Sequence, residues 1–574
     1  MANPLLLFRP VRRRTGGLRR STVEIPTDVP TTDAVFLLLR RMRMPLLALI
    51  TVFTIAVFGL AAAPGVDTQG RPDRLSVFEA FYVMSSTATT IGFGEIPHSF
   101  STEQRLWVAG TIYATVIAWA WAIGMLLALI QEDAFRDALA VQRFRRKVLR
   151  LNEPFHLITG YGEVGRSVAA ALDSMRRRIV VIERQGSRID KLATQQLAGD
   201  PPGLEADSAN PAVLGLAGLG SGFCEGVLAL TDNDDANLAV VQAVRLLKPD
   251  VPVIARCVDP VVAEQMVEYG ADAVINPYDR FGDYLVLGLR RPVVHQLILW
   301  LIAPTGTPLG EPVQPTAEGT WVVCAEGRFR QEVSRDLRQA GYTVTETDPT
   351  GEVPDLTGVV GFVGGHHKDT INLVLGARVR SAAPDVFICL RQSHAANAPL
   401  FAAFDPDSVF VPTELVAREC VARIVTPRTW AFLEHAKNQS DEWAQSLLED
   451  LLDRVGTASP MGWRLRIDGA DAPAVVRWLA HDDLTIADLL RHPSDRDRFS
   501  PCLVLALTRD GRLWCHPPED TPLRVGDDLL IASVPQGYAY LRDSLYGDAA
   551  VEYAATGRQV PSTWVWRKLS KAGR

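Results

Sequence analysis

Apolar and polar positions fall into three different rhythms along this chain. From Pro45 to Ala63, and again from Leu106 to Ile130, apolar residues run almost unbroken and without a charge. Each run is about 20 residues or more, enough to cross a bilayer core as a helix rising 1.5 Å per residue. Between them, Leu75 to Thr89 is moderately apolar and reads as a short helix that stops at a glycine loop. From residue 155 the rhythm becomes short apolar runs separated by amphipathic stretches, the pattern of alternating strands and helices. Strands are predicted at Phe155–Thr159, Arg178–Glu183, Val227–Thr231, Val251–Ala255 and Trp321–Ala325, with a helical run from Arg166 to Met175. After Trp463 the texture changes again. A short helix at Thr485–Leu490, strands at Cys502–Leu507 and Asp528–Ala532, and a turn at Thr508–Gly511 predict a small α+β module.

The loop between the two apolar runs holds Thr90-Ile91-Gly92-Phe93-Gly94-Glu95. Irregular backbone at membrane depth is tolerated only where protein buries it or where it lines a pore. Glycines without Cβ let backbone carbonyls turn inward to replace an ion's hydration shell, so Thr90, Ile91, Gly92, Phe93 and Gly94 have the composition of an ion filter. Helix, re-entrant helix, filter, helix is the economical reading. The first run lies too far into the chain, and lacks a small-residue cleavage pattern, to be a signal peptide. Nine arginines from Arg9 to Arg43 precede it, and Arg136, Arg143, Arg145, Arg146, Lys147 and Arg150 follow the second run. The connecting loop is poor in Lys and Arg by comparison, which predicts both termini on the cytoplasmic side and leaves nucleic-acid binding unneeded as a reason for the arginines.

Two features of the second run have competing readings. Gly124 is either a gating hinge or a close-packing glycine. Glu132 and Asp133 either ring an inner pore mouth with negative charge or simply form a solvated helix end.

The whole chain has 574 residues and a formal net charge of −7, so well over 400 residues remain for soluble domains. That is about three compact units at roughly 100–200 residues each. Its seven cysteines (224, 257, 324, 389, 420, 502 and 515) are scattered, with no Cys-x-x-Cys pair. They argue for a reducing compartment and against a disulfide framework or zinc site.

After the strand Phe155–Thr159 come Gly160-Tyr161-Gly162-Glu163-Val164-Gly165, and the next predicted strand ends in Glu183, 23 residues beyond Gly160. Alone, such a glycine pattern says little. Between strand and helix, with an acid about 20 residues on, it is a dinucleotide-type fingerprint: the glycines allow close approach, the helix N-terminus favours phosphate, and the acid can accept from ribose hydroxyls. The alternative is a Rossmann fold that has lost its ligand. Asp207 follows a probable third strand and either meets an adenine edge or caps its own turn. Thr231 ends the strand beside the loop.

A repeat supports a second unit. Leu247–Arg256 aligns without gaps with Ala382–Arg391, 135 residues on, and at the same offset Asn237-Leu238 matches Asn372-Leu373 while Thr231 falls on His366. The second copy keeps one glycine, Gly327, in its loop, so it is not expected to hold a dinucleotide in the usual way. His366 and His367 are expected to be exposed loop histidines, with metal binding or pH sensing as the alternative.

The segment Thr90–Glu95 resembles the potassium-channel pore signature, a Thr-Val-Gly-Tyr-Gly-Asp-like loop, with Glu95 in place of the usual Asp. A pore followed by tandem Rossmann-like units resembles the RCK family, the regulators of potassium conductance, and the last module resembles their C-terminal lobe. The resemblance implies a homotetramer in a prokaryotic plasma membrane, K+ as the transported ion, and NAD or an adenine nucleotide as regulatory ligand bound by Gly160–Gly165, Glu183, Asp207 and Thr231. Two departures matter. Glu163 stands where several members carry an Arg for a terminal phosphate, which disfavours ATP, and Ile254–Val258 lacks the paired carboxylates of calcium-gated members. No arginine-spaced voltage-sensor helix precedes the pore. A membrane-tethered NAD-dependent oxidoreductase would need an acid or base beside the nicotinamide, and no His, Lys or Tyr constellation provides one. A less selective cation channel is the nearer alternative.

The expected fold class is an α-helical two-span pore domain plus α/β tandem Rossmann-like domains and a small C-terminal α+β lobe. The expected boundaries are a cytoplasmic segment 1–43, pore domain 44–131, linker 132–154, first unit 155–303, second unit 320–458, lobe 460–546 and tail 547–574.

Overall fold

The computed structural model describes residues 25–27, 34–66, 71–89, 91–92, 99–313, 318–349 and 355–559. Thr90, Phe93 and Gly94 of the expected filter, Glu95 after it, and residues 560–574 of the expected tail lie outside them.

Two long helices, α1 (Ala34–Ala62) and α3 (Thr102–Gln131), bracket a short one, α2 (Val77–Ala88). The helix reaches further back than the apolar run: α1 begins at Ala34 and carries Pro45 inside it. The apolar run marks the stretch that suits a membrane, Met42–Ala62, whereas the arginine-bearing turns before it are helix formers of another polarity. Ser101 Oγ donates to Pro64 O at 2.6 Å and Trp107 Nε1 to Ala56 O at 3.1 Å, so the start of α3 meets the end of α1. A Cβ at Gly59 would run into the Trp107 ring, so only glycine permits this approach. Ala56, Val57 and Leu60 of α1 form a small core with Ala80, Val83 and Met84 of α2. Ser76 and Glu79 close a capping box at the start of α2. At its far end the N–H groups of Ile91 and Gly92 both donate to Ser86 O, at 3.0 and 3.3 Å, and Gly92 adopts φ +66°. The outer faces of α1 and α3 leave Ile50, Ile55, Phe58, Ile117 and Leu127 exposed, as lipid or neighbouring chains require.

The stretch expected as a linker is a helix, α4 (Asp133–Leu149), set off from α3 by the extended residue Glu132. Its Phe144 and Val148 are buried in the core of the first α/β unit. The pore-side helices therefore join that unit through packed helix rather than slack chain.

The first unit is a six-stranded parallel sheet of β1 (Phe155–Thr159), β2 (Arg178–Glu183), β3 (Gly203–Glu205), β4 (Cys224–Ala229), β5 (Val253–Arg256) and β6 (Ala273–Ile275). Their order, β3-β2-β1-β4-β5-β6, reverses at β1, which places a crevice beyond the carboxyl ends of β1 and β4. The second unit is a five-stranded parallel sheet of β7 (Thr320–Ala325), β8 (Thr343–Thr347), β9 (Val359–Gly365), β10 (Phe387–Arg391) and β11 (Ser408–Phe410), ordered β8-β7-β9-β10-β11.

The repeat visible in the sequence extends to individual bonds. Asn237 Nδ2 donates to Arg256 O and its mate Asn372 Nδ2 to Arg391 O. Asp272 accepts from Val253 N–H, and Asp407 from Ile388 N–H, each at 2.8 Å. The units also exchange helices. Helix α6 (Pro277–Arg290), which closes the first unit, buries Phe281, Leu285 and Leu289 against Trp321, Phe329 and Val333 of the second. Its repeat mate α7 (Pro412–Val425) buries Val416, Cys420 and Val421 against Ile158, Val164 and Val168 of the first.

The C-terminal lobe is an antiparallel sheet of β12 (Met461–Arg466), β13 (Cys502–Arg509), β14 (Arg512–Cys515) and β15 (Asp528–Ser533), ordered β12-β15-β13-β14. Asp510 and Gly511, with φ of 52° and 76°, make the expected turn between β13 and β14. The expected boundary at 546 is corrected: a helix at Asp548–Thr556 buries Val551 and Ala554 on the lobe, so the lobe runs on into the supposed tail.

Candidate functional site

The glycine loop forms where the sequence places it. Helix α5 (Glu163–Ser174) starts directly after Gly162, so its free N–H groups point out of the crevice floor. Gly160 takes φ +93°, and a Cβ there would stand 2.7 Å from Thr231 N; one at Gly165 would collide with the Gly160 carbonyl. Gly162 is different. Its Cβ would point toward Arg188 Nη1 at 3.3 Å and Asp232 Oδ2 at 3.7 Å, into open cleft rather than backbone.

That cleft, about 320 Å3, lies over the loop. Tyr161, Gly162, Glu163 and Val164 line its floor, Arg166, Arg188, Lys191 and Arg256 its first-unit walls, and Arg391, Ser393, Pro412 and Thr413 of the second unit its far side. Basic groups outnumber acidic ones there. Arg166 pairs with Glu163, Arg188 reaches Glu183 at 3.5 Å, and Arg256 reaches Asp232 at 3.5 Å. A positive cleft at a helix N-terminus is built for a phosphate-bearing anion.

Three expected ligand contacts have other partners. Glu183 is buried, and its carboxylate accepts from Tyr161 N–H at 2.5 Å and Gln185 N–H at 2.9 Å. It braces the glycine loop onto the end of β2, and a ribose would share an already occupied group. Asp207 is exposed, accepts from Ala209 N–H at 3.0 Å, and is absent from the cleft lining, which is its turn-capping alternative. Thr231 Oγ1 lies 2.7 Å from Asn237 Oδ1 and holds the neighbouring loop. Arg188, Lys191 and Arg391 were not singled out from the sequence. The available signal was the repeat itself, which sets Arg256 and Arg391 at matching strand ends.

In the second unit, Glu326, His366 and His367 bring one ligand atom each within 4.8 Å of one another. The expectation of two exposed histidines is half overturned: His366 is buried and His367 exposed. His366 Nδ1 accepts from Lys368 N–H at 2.9 Å, which leaves the ring proton on Nε2, the atom 3.5 Å from Glu326 Oε1. Glu326 thus stands at ion-pair distance from both rings, its other oxygen 3.6 Å from His367 Nδ1. His366 does for its loop what Thr231 does in the first unit.

In the membrane part, α3 is continuous across Gly124, and a Cβ there would meet nothing within 4 Å, so no contact among the described residues requires that glycine. Glu132 stands at the N-cap position of α4 without a side-chain cap bond, and Asp133 opens the helix.

The fold and cleft define a class: a nucleotide-type Rossmann unit with a second, cross-packed unit, joined to two apolar helices of membrane-spanning length. Residues 156–277 match the TrkA-N domain, and two helices are long and apolar enough to cross a membrane. It is 25% identical over 229 residues to potassium channel protein 1 of Methanocaldococcus jannaschii, covering 39% of this chain and 66% of that one. It is 21% identical over 230 residues to the voltage-gated potassium channel Kch of Escherichia coli, covering 40% of this chain and 54% of the relative. In both, the match spans less than two thirds of the relative's length. A solved structure described as the GsuK channel bound to NAD aligns over 89% of this chain with 17% identity and a TM-score of 0.41.

Proposed function

We propose that the chain is one quarter of a potassium-selective channel of a prokaryotic plasma membrane, with both termini cytoplasmic, gated by a nucleotide bound at the first α/β unit. The observation that carries this reading is the unbroken mechanical path from cleft to membrane. Phe144 and Val148 of α4 are buried in the unit that holds the glycine loop, and α4 follows α3 after a single extended residue. The potassium-channel names of the two relatives support the cargo, and Thr90–Gly94 supplies the filter chemistry of inward carbonyls. Four chains would bring four such loops around one axis and eight α/β units into a cytoplasmic ring.

In this mechanism the nucleotide, NAD or an adenine nucleotide, does no chemistry. It binds one arrangement of the ring more tightly and shifts the pore by that difference in affinity. Its phosphates meet the α5 N-terminus, and the arginines of the cleft balance their charge. The movement is passed on by α4.

Reconstitution in planar bilayers tests the reading. Reversal potentials in mixed K+ and Na+ should follow K+; equal permeability would replace the selective channel by a general cation channel. NAD or ADP should change open probability in the wild type and not in Gly162→Asp, whose carboxylate would occupy the phosphate seat. An equal response in both would end the gating role of this cleft.

A further inference from the structure

The two strand-end arginines related by the repeat are used differently. Arg256 Nη1 donates to Thr231 O at 3.2 Å and pairs with Asp232. Arg391 has no carboxylate partner among the described residues. Its guanidinium lies over a pair of rings that pack edge to face on each other, 5.2 Å from the Tyr278 centroid and 5.3 Å from that of Phe329, and its Nε is buried with no hydrogen-bond partner among the described residues. Two residues on, Ser393 is tied by its N–H to Asp369 at 2.6 Å, while its hydroxyl is likewise buried and unpartnered. Both side chains line the cleft over the first unit's glycine loop although both belong to the second unit.

A half-buried guanidinium whose Nε is buried without a partner among the described residues is costly, and such a group persists where a ligand completes it. Its planar fork suits a phosphate. The glycine loop already offers one phosphate seat, at the α5 N-terminus. Resting on the nucleotide reading above, we propose that Arg391 and Ser393 form a second anion seat, so that the ligand is a nucleotide with at least two phosphates and is gripped by both units of one chain. The phosphate nearer the nucleoside sits on the first unit's loop, and the distal one is held across the cleft by the second unit. A ligand with two phosphates therefore clamps the cross-packed pair, whereas a monophosphate touches one side only. This gives the second unit, whose own loop keeps a single glycine, a direct part in recognition.

Titration calorimetry on the full-length channel in detergent, with ADP, NAD and AMP, tests the assignment. Arg391→Ala should weaken ADP and NAD about tenfold or more, the loss expected for a charge-assisted bidentate contact, and leave AMP within about twofold. Arg391→Lys, which keeps the charge but loses the fork, should fall between. Gly162→Asp should weaken all three. If Arg391→Ala leaves ADP unchanged, or weakens AMP as much as ADP, the second seat is wrong while the glycine-loop site stands. If the wild type binds none of the three, the site reading falls and this inference with it. Should Arg391→Ala not fold, Ser393→Ala and Arg391→Lys carry the same ADP-to-AMP comparison.

Discussion

Arg280 Nε lies 3.1 Å from Glu419 Oε2, with both side chains buried, and the two residues stand on the exchanged helices α6 and α7 of different units. Glu419 also meets Arg423 at 2.7 Å, so one carboxylate serves cations from both sides of the junction. Such a pair is weak evidence for net stability, because burying two charges costs about what their attraction returns. Its removal from one side is another matter. Glu419→Leu leaves Arg280 with only the half-exposed Asp283, at 3.3 Å, and takes the partner of Arg423 as well; it should cost about 3–5 kcal/mol, read as a lowered midpoint in denaturant unfolding of the cytoplasmic part. Arg280→Met combined with Glu419→Leu should recover most of that loss. If the double variant is as unstable as the single, shape rather than charge holds the junction.

The same junction should carry a pH dependence. Asp336 lies against α6 at Gly282, and burial pushes its carboxyl up to about 7, although Arg335 at 2.9 Å pulls the other way. Desolvation wins because one carboxylate oxygen is buried without a partner. A carboxyl raised in the folded state contributes stability that is complete below its unfolded value near 3.8 and lost as pH rises toward 7. Melting temperature followed across that window should fall for the wild type more steeply than for Asp336→Asn. Parallel curves would remove Asp336 as the cause.

Phe144 is buried, in the core of the first unit. Phe144→Ala should destabilise that unit by about 3–5 kcal/mol and, on the proposed mechanism, reduce the change in open probability per bound nucleotide while leaving single-channel conductance as it was. A variant that gates normally would show that α4 does not transmit the movement.

Glu183 receives two backbone N–H groups, so Glu183→Ala leaves both without their buried acceptor. A loss of about 1–3 kcal/mol per stranded donor is expected, together with weaker binding of every nucleotide, AMP included. Weakened NAD, ADP and AMP with unchanged stability would instead restore the ribose role read from the sequence, since all three carry the adenosine ribose.

Much of this architecture was legible before any coordinates. The strands Phe155–Thr159 and Arg178–Glu183 fall where the apolar runs predict, because a strand buried on both faces has to be apolar throughout. The repeat gave the second unit, and the glycine spacing gave the loop. Less legible were contacts between segments far apart in sequence. Nothing near residue 391 says that its arginine faces a loop at residue 162, and the occupied state of Glu183 depends on where Tyr161 N–H points. The helical linker was missed because Asp133–Leu149 is polar enough to read as connection, its apolar stripe being narrow.

By itself the sequence determined the local states: helices long and apolar enough for a bilayer, strands set by short apolar runs, and a turn only glycine can make at Gly160. These follow from covalent geometry and local burial, which a residue and its neighbours carry with them. The tertiary structure decided which surfaces meet. It exchanged α6 and α7 between the units, set Arg280 against Glu419, and brought Arg391 over the first unit's loop. Those outcomes belong to the pairing of two nearly equivalent units, and a buried charge acquires its partner only when that pairing closes around it.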